Sequence, residues 1–171
     1  KETLKQIYDM GITDIAMVTG EHYEVAQRIA DELELSQVHA DQLPGDKLKV
    51  IQRLRRAHKP LAMVGDGVND APVLAASDVG IALGAKGSTA ASESADVVIM
   101  LDDLLRVPMA IKISRRTLKV ARESIFVGIG LSVILMLIAA TGRISPLNGA
   151  LLQEGVDILV ILNALRARSD N

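Results

Sequence analysis

The chain has 171 residues, 49% of them hydrophobic but only 2% aromatic, so it can hold one ordinary domain and a remainder around an aliphatic core. Lys and Arg number 19 against 21 Asp and Glu, a net charge of -2, which argues against a nucleic-acid-binding surface. Cysteine is absent, which removes disulfides, thiolate metal sites and cysteine nucleophiles together.

The opening 14 residues are charged and amphipathic and do not read as a secretory signal. Residues 2–9 have helical spacing, and "DIAMVTG" (14–20) is a short β-like run closed by Thr-Gly. "HYEVAQRIADELEL" reads as a helix and "QVHA" as a short strand. "PGDKLKVIQRLRRA" opens on a Pro-Gly turn, offers Asp46 as an N-cap and continues as an amphipathic helix. "LAMVG", "VGIAL" and "DVVIM" read as strands, separated by helices over "NDAPVLAAS" and "STAASESA". The alternation predicts an α/β fold: a partial Rossmann-like, mostly parallel sheet with helices on both faces. Ligands of such sheets bind at the carboxyl ends of the strands, where Thr19-Gly20 and Gly65–Asp70 fall.

From Arg106 the pattern changes. A helical stretch carrying Arg115, Arg116, Lys119 and Arg122 runs without a linker into Ser124–Thr141, eighteen uncharged residues. That length crosses a hydrocarbon core of roughly 30 Å. "GRISP" interrupts, and Leu147–Leu165 is a second apolar stretch followed by Arg166 and Arg168. Basic groups flank the outer ends and the connection carries only Arg143, so the positive-inside rule predicts a transmembrane hairpin with both ends cytoplasmic. The expected organisation is a soluble domain over 1–105 and a connecting helix with hairpin over 106–171.

"VGDGVNDAPVL" (64–74) carries the densest chemistry. Gly65 and Gly67 let backbone N–H groups approach an anion. Asp66 and Asp70 supply hard oxygen atoms of the kind Mg²⁺ takes, one or two carboxylates beside water and phosphate. Asn69 can donate to a phosphoryl oxygen while starting the next helix, whose N-terminus favours negative charge. An Asp-Gly turn with an Asn cap would explain one Asp and one Gly, not the full set at a strand's end. Thr19 adds a hydroxyl, and Lys47 an ammonium in a first helical turn, where the dipole disfavours a cation. Together these suit phosphoryl transfer, in which positioning and charge neutralisation supply most of the catalysis.

"MVTG", "LPGDK", "MVGDGVNDAPVLAASDVGIALG" and "ESADVVIM", in this order and before a membrane hairpin, resemble the C-terminal part of a P-type ATPase, whose phosphorylation domain is haloacid dehalogenase-like. The resemblance implies that Asp66 coordinates Mg²⁺ and Asp70 supports it through its neighbours. It implies that Asn69 and Lys47 contact the phosphoryl group, that Thr19 with Gly20 binds another of its oxygens, and that Pro72 holds the turn. ATP would be the substrate of the intact pump. Glu21 stands where the family usually has Asp after Thr-Gly. The family's phosphorylated Asp, in Asp-Lys-Thr-Gly-Thr, is not in the sequence, so the chain reads as a pump fragment, inactive alone, whose partner is the pump's N-terminal part.

Two spans after the phosphorylation domain, ending in "LNALRARSDN", resemble the heavy-metal class of these pumps, which implies a plasma-membrane location. In "LLQEGVDILVILNALR", Gln153, Glu154 and Asp157 share one helical face. A carboxylate at mid-bilayer costs roughly 2.5–3.5 kcal/mol even on the lenient insertion scale, so two on one face suggest a site for the transported ion. Oxygen ligands without thiolates favour a divalent cation such as Zn²⁺, Cd²⁺, Co²⁺ or Mn²⁺ over Cu⁺. Zinc-type members carry an acid where Gln153 stands and cobalt-type members His-Glu-Gly, so the metal stays open. Asn163 and Gly155 read as helix-packing residues, and His22, His39 and His58 as surface or structural. Two other readings remain: a soluble phosphatase of the same superfamily, which would need an Asp-x-Asp nucleophile motif that Asp102-Asp103 does not supply, and a non-catalytic membrane-anchored split subunit.

Overall fold

The computed structural model describes residues 1–66, 68–84 and 89–168. Gly67 of the phosphate turn, Ser88 at the expected start of a helix, and the last three residues lie outside them. The chain divides into two compact units, Lys1–Pro108 and Met109–Asn171.

The first unit alternates helix and strand: α1 (Glu2–Asp9), β1 (Ala16–Val18), α2 (Tyr23–Leu33), β2 (Gln37–His39), α3 (Pro44–Ala57), β3 (Ala62–Gly65), a 3-10 turn (Val68–Asp70), α4 (Ala71–Ala76), β4 (Val79–Leu83), α5 (Thr89–Ser94) and β5 (Val97–Ile99). Every pairing is parallel, as helix-strand alternation requires. The strands are divided between two sheets rather than joined in one: β1 pairs β2 with Met17 opposite Val38, and β3-β4-β5 forms the other, with Val64 opposite Ile81. β3 is an edge strand of its sheet, with β4 as its ladder partner.

Aliphatic side chains at helical spacing make the core. Ala26 and Ala30, four apart on α2, are fully buried, as are Val73 and Leu74 of α4 near Ile81, Ala82 and Leu83 of β4. The α3–α4 side is tied by Asp78, whose Oδ1 accepts from Arg55 Nε at 2.7 Å and whose Oδ2 accepts from the Leu61 backbone N–H at 2.9 Å. Arg55 also donates to the Ala76 carbonyl at 3.1 Å, so one ion pair joins α3, the end of α4 and the start of β3.

Two expected helix starts shift. Pro44 takes the first position of α3, Leu43 stands at its cap, and Asp46 lies inside the first turn bonded to Lys49 at 2.8 Å. A proline with φ preset for the first helical position moves the start ahead of the acidic residue. Likewise Asp70, not Asn69, occupies the cap of α4, because Val68–Asp70 form a 3-10 turn first.

The second unit is helical. α6 (Arg106–Ala140) begins before the unit boundary and runs 35 residues, about 50 Å at 1.5 Å per residue. Thr141-Gly142 turns the chain, with Gly142 at φ +74°, and α7 (Pro146–Ala164) starts behind Ser145, whose Oγ accepts from the Asn148 N–H at 3.3 Å. Among the described residues only α6 is long and apolar enough to cross a membrane by itself. The sequence led us to expect two such spans; the 19-residue α7 falls short because Asn148, Gln153, Glu154, Asp157 and Asn163 dilute it. α6 and α7 lie antiparallel: Ser124 accepts from Asn163 Nδ2 at 2.8 Å and Ser132 from Gln153 Nε2 at 3.0 Å. Between these bonds a Cβ on Gly128 would stand 2.9 Å from Val160 Cγ2, so glycine sets the approach of the two helices.

Candidate functional site

Gly65 ends β3, and the chain turns there because its next residues are polar and glycine-rich. Asp66 follows, exposed, and Asn69 is exposed on the 3-10 turn. Asp70 folds back over Gly65: a Cβ on that glycine would lie 3.0 Å from Asp70 Cβ and 3.1 Å from its Oδ2. Its Oδ1 accepts from Lys47 Nζ at 3.0 Å, the two side chains being 12% and 20% exposed. Lys47 sits in the first turn of α3, which leads away from the β2 end, so this ion pair joins the carboxyl ends of strands from both sheets. The pair explains why Asp70 makes no capping bond to α4: its carboxylate is drawn to the ammonium instead.

Thr19 follows β1 and is half-buried. Its Oγ1 accepts from the Glu21 N–H at 3.2 Å, a local turn that orders Thr19-Gly20-Glu21. Backbone bonds tie this turn to the β2 end, from Thr19 N to the His39 carbonyl at 2.9 Å and from Gln42 N to the Thr19 carbonyl at 3.0 Å. The structure thus brings Lys47 and Asp70 into direct contact and sets Asp66, Asn69, Thr19 and Gly20 at strand ends; no direct bond joins Thr19 to the Lys47–Asp70 pair among the described residues.

Three groups here take structural roles, of which the sequence reading named only the histidine, as surface or structural. Asp41, at φ +53°, accepts from the Tyr23 N–H at 3.2 Å and pairs with His22 Nδ1 at 3.0 Å, anchoring the start of α2 from the β2 loop. His39 at the end of β2 has Nε2 shut from solvent with no partner among the described residues; burial, with the positive Arg53 adding to it, lowers its pKa below the usual histidine value. Asp78 is held below the usual carboxylate range, chiefly by the Leu61 N–H and also by Arg55, against the opposing effect of burial. A lone Asp in a loop carries no periodic signal, so only the folded contacts identify Asp41 and Asp78.

Mg²⁺ fits this donor set. Among the described residues no group of three or more His, Asp or Glu side chains could hold a metal unaided. Mg²⁺ keeps most of its waters and takes one or two carboxylates plus phosphate oxygens, and the exposed Asp66 offers one beside the lysine-paired Asp70.

On α7, Gln153 Nε2 donates to Asp157 Oδ1 at 3.1 Å as well as to Ser132, so two of the three expected ion-site residues meet. Glu154 is exposed and takes no part in that cluster. Ser132 was not anticipated, although Ser124, Gly128 and Ser132 recur every four residues, a small-residue face legible in retrospect.

Residues 1–78, which carry the Lys47–Asp70 pair and the Asp-rich turn, match the family model described as haloacid dehalogenase-like hydrolase. Over 166 residues, 97% of its length, the chain is 39% identical to a probable cadmium-transporting ATPase of Staphylococcus aureus (strain MRSA252). Over 168 residues it is 40% identical to a copper-exporting P-type ATPase of Staphylococcus aureus (strain JH9). The crystal structure of a zinc-transporting PIB-type ATPase in the E2.Pi state superposes on 97% of the chain with a TM-score of 0.87 at 33% identity. The chain is a homologue of the metal-transporting P-type ATPases. It spans 23% and 21% of those two relatives and 27% of the solved chain, about a quarter of their length.

Proposed function

We propose that this chain supplies part of the phosphorylation domain, residues 1–105, and a two-helix membrane hairpin with its connecting helix, residues 106–171, to an ATP-driven pump for divalent heavy-metal cations. The observation that carries the reading is the Lys47–Asp70 pair at 3.0 Å beside the exposed Asp66, at the carboxyl ends of parallel strands. Asp66 would hold Mg²⁺, and Asp70 would set the position of the Lys47 ammonium. Bound Mg²⁺ supplies charge neutralisation to a phosphoryl group. Lys47 and Asn69 donate to that group's oxygens, and the Thr19 hydroxyl with the Gly20 backbone binds a further oxygen. The phosphoryl group itself would be carried by an aspartate outside these 171 residues, on the aspartyl-phosphate route.

In the hairpin, Gln153, Glu154 and Asp157 would line the path of the cation. Their cost within a bilayer, and the Gln153–Asp157 bond at 3.1 Å, favour a site over a chance polar stripe. Relatives named for cadmium, copper and zinc leave the cation itself open, and an oxygen-donor set favours the Zn²⁺, Cd²⁺, Co²⁺ or Mn²⁺ type. We assign α7 as a second span paired with α6, both ends on the cytoplasmic side of the plasma membrane. The direct test is hydrolysis by the purified chain in Mg²⁺ and ATP. Without the phosphorylated aspartate no turnover is expected, and steady turnover that Asp66→Ala abolishes would refute the assignment of roles.

A further inference from the structure

Two amides on α7 reach serines on α6, and their second atoms meet different fates. Asn163 gives Nδ2 to Ser124 at 2.8 Å, and its Oδ1 accepts from Arg166 Nη1 at 3.1 Å. Both ends of that amide are occupied, which is what a packing residue needs. Among the described residues Gln153 instead spends only its nitrogen, giving it to Ser132 Oγ at 3.0 Å and to Asp157 Oδ1 at 3.1 Å.

We propose that Ser132 is a positioning residue of the cation site on α7: its bond fixes the Gln153 amide so that the carbonyl Oε1 is the atom offered to the ion, beside the Asp157 carboxylate. This rests on the ion-site reading above. An ionised carboxylate only accepts hydrogen bonds, so Asp157 requires the amide nitrogen to face it. Nitrogen has two hydrogens; Asp157 takes one and Ser132 the other. The oxygen is left as the ligating atom. A Gln–Asp bond four residues apart on one helix is weak by itself, and a long side chain held at one point keeps its rotamer freedom. A second anchor from the neighbouring helix removes that freedom before the ion arrives, which is how preorganisation strengthens binding. An amide oxygen with a carboxylate suits a hard or borderline divalent cation rather than a soft monovalent one.

The test uses the full chain in phosphatidylcholine–phosphatidylglycerol nanodiscs, with Cd²⁺ as the probe. Calorimetry gives the affinity, ¹¹³Cd resonance the ligand atoms, and side-chain amide exchange at Gln153 the anchoring without metal. Ser132→Ala is expected to weaken Cd²⁺ binding about tenfold, the worth of one such hydrogen bond, and to speed exchange at Gln153. Ser132→Thr, which keeps the hydroxyl, should restore both. Ser124→Ala removes a comparable bond between the same helices and should leave Cd²⁺ affinity unchanged. Equal affinity in Ser132→Ala and the parent chain, or the same loss in Ser124→Ala, overturns the positioning role while the ion-site reading stands. Absence of Cd²⁺ binding by the parent chain, unaltered by Asp157→Ala, overturns the ion-site reading and this proposal with it.

Discussion

Lys47 occupies a first helical turn, where the partial positive charge of the helix end opposes an ammonium by about 0.3–1 kcal/mol. That cost is offset because Asp70 stands 3.0 Å away in a largely buried pair. Removing one partner strands the other: Lys47→Gln is expected to lower stability by about 1–3 kcal/mol, measured by thermal unfolding. A double-mutant cycle with Asp70→Asn should return most of that loss as coupling between the two residues. Gly65→Ala tests the same site without touching a charge. Its methyl would meet Asp70 Cβ at 3.0 Å, so the carboxylate must move off Lys47, and the variant should show a similar loss of stability. An unchanged melting temperature in both variants would show that the pair contributes little to holding the turn.

Helices and strands were legible where periodicity runs long enough. Ala26 and Ala30 on α2, and Val73 and Leu74 on α4, stand where helical spacing put them, and among the described residues β1, β3, β4 and β5 follow apolar runs bounded by polar turns, β2 (Gln37–His39) being the more polar exception. Helix starts at Asp46 and Asn69 were misjudged because a cap is a local competition, decided for α3 by Pro44 and for α4 by a 3-10 turn with Asp70 bonded to Lys47. The division into two sheets was not legible, since alternation tells that strands are parallel but not which are neighbours. The contacts of Asp78, Asp41 and Ser132 span 17 residues or more in sequence, so local pattern does not reveal the partners, even where Ser132 belongs to a small-residue face.

Asp78 gives a pH test at this scale. Its folded pKa lies below the usual carboxylate value, so the unfolded chain takes up a proton first as pH falls. The stabilisation is therefore present above about pH 4 and fades as pH drops through the folded value. Asp78→Asn should melt lower than the parent at neutral pH, with the gap closing toward about pH 3. A gap independent of pH would mean that the carboxylate's charge is not what ties α3 to β3. His39 works in the same direction at higher pH: its lowered pKa makes the unfolded chain bind protons first below about pH 6.5, so acidification through that range should destabilise the first unit.

At the scale of the whole chain, α6 shows aliphatic and aromatic side chains on its surface: Ile125, Phe126, Val127, Ile129, Ile134 and Leu137 are all more than half exposed. Such a surface is stable in lipid and a liability in water. The chain is expected to sediment with membranes and resist alkaline carbonate extraction. Ile134→Lys combined with Leu137→Asp, at roughly 2.5–3.5 kcal/mol each in a bilayer centre, should release it. Release of the parent chain by carbonate would contradict a spanning α6.

For the pump role proposed above, the decisive measurement joins this chain to the remaining segments of the cadmium-transporting relative from Staphylococcus aureus and reads Cd²⁺-stimulated phosphate release. The chimera should turn over, and Asp66→Ala should cut the rate about a hundredfold or more while the protein remains folded and membrane-inserted. A chimera that turns over equally well without the Asp66 carboxylate would contradict the account.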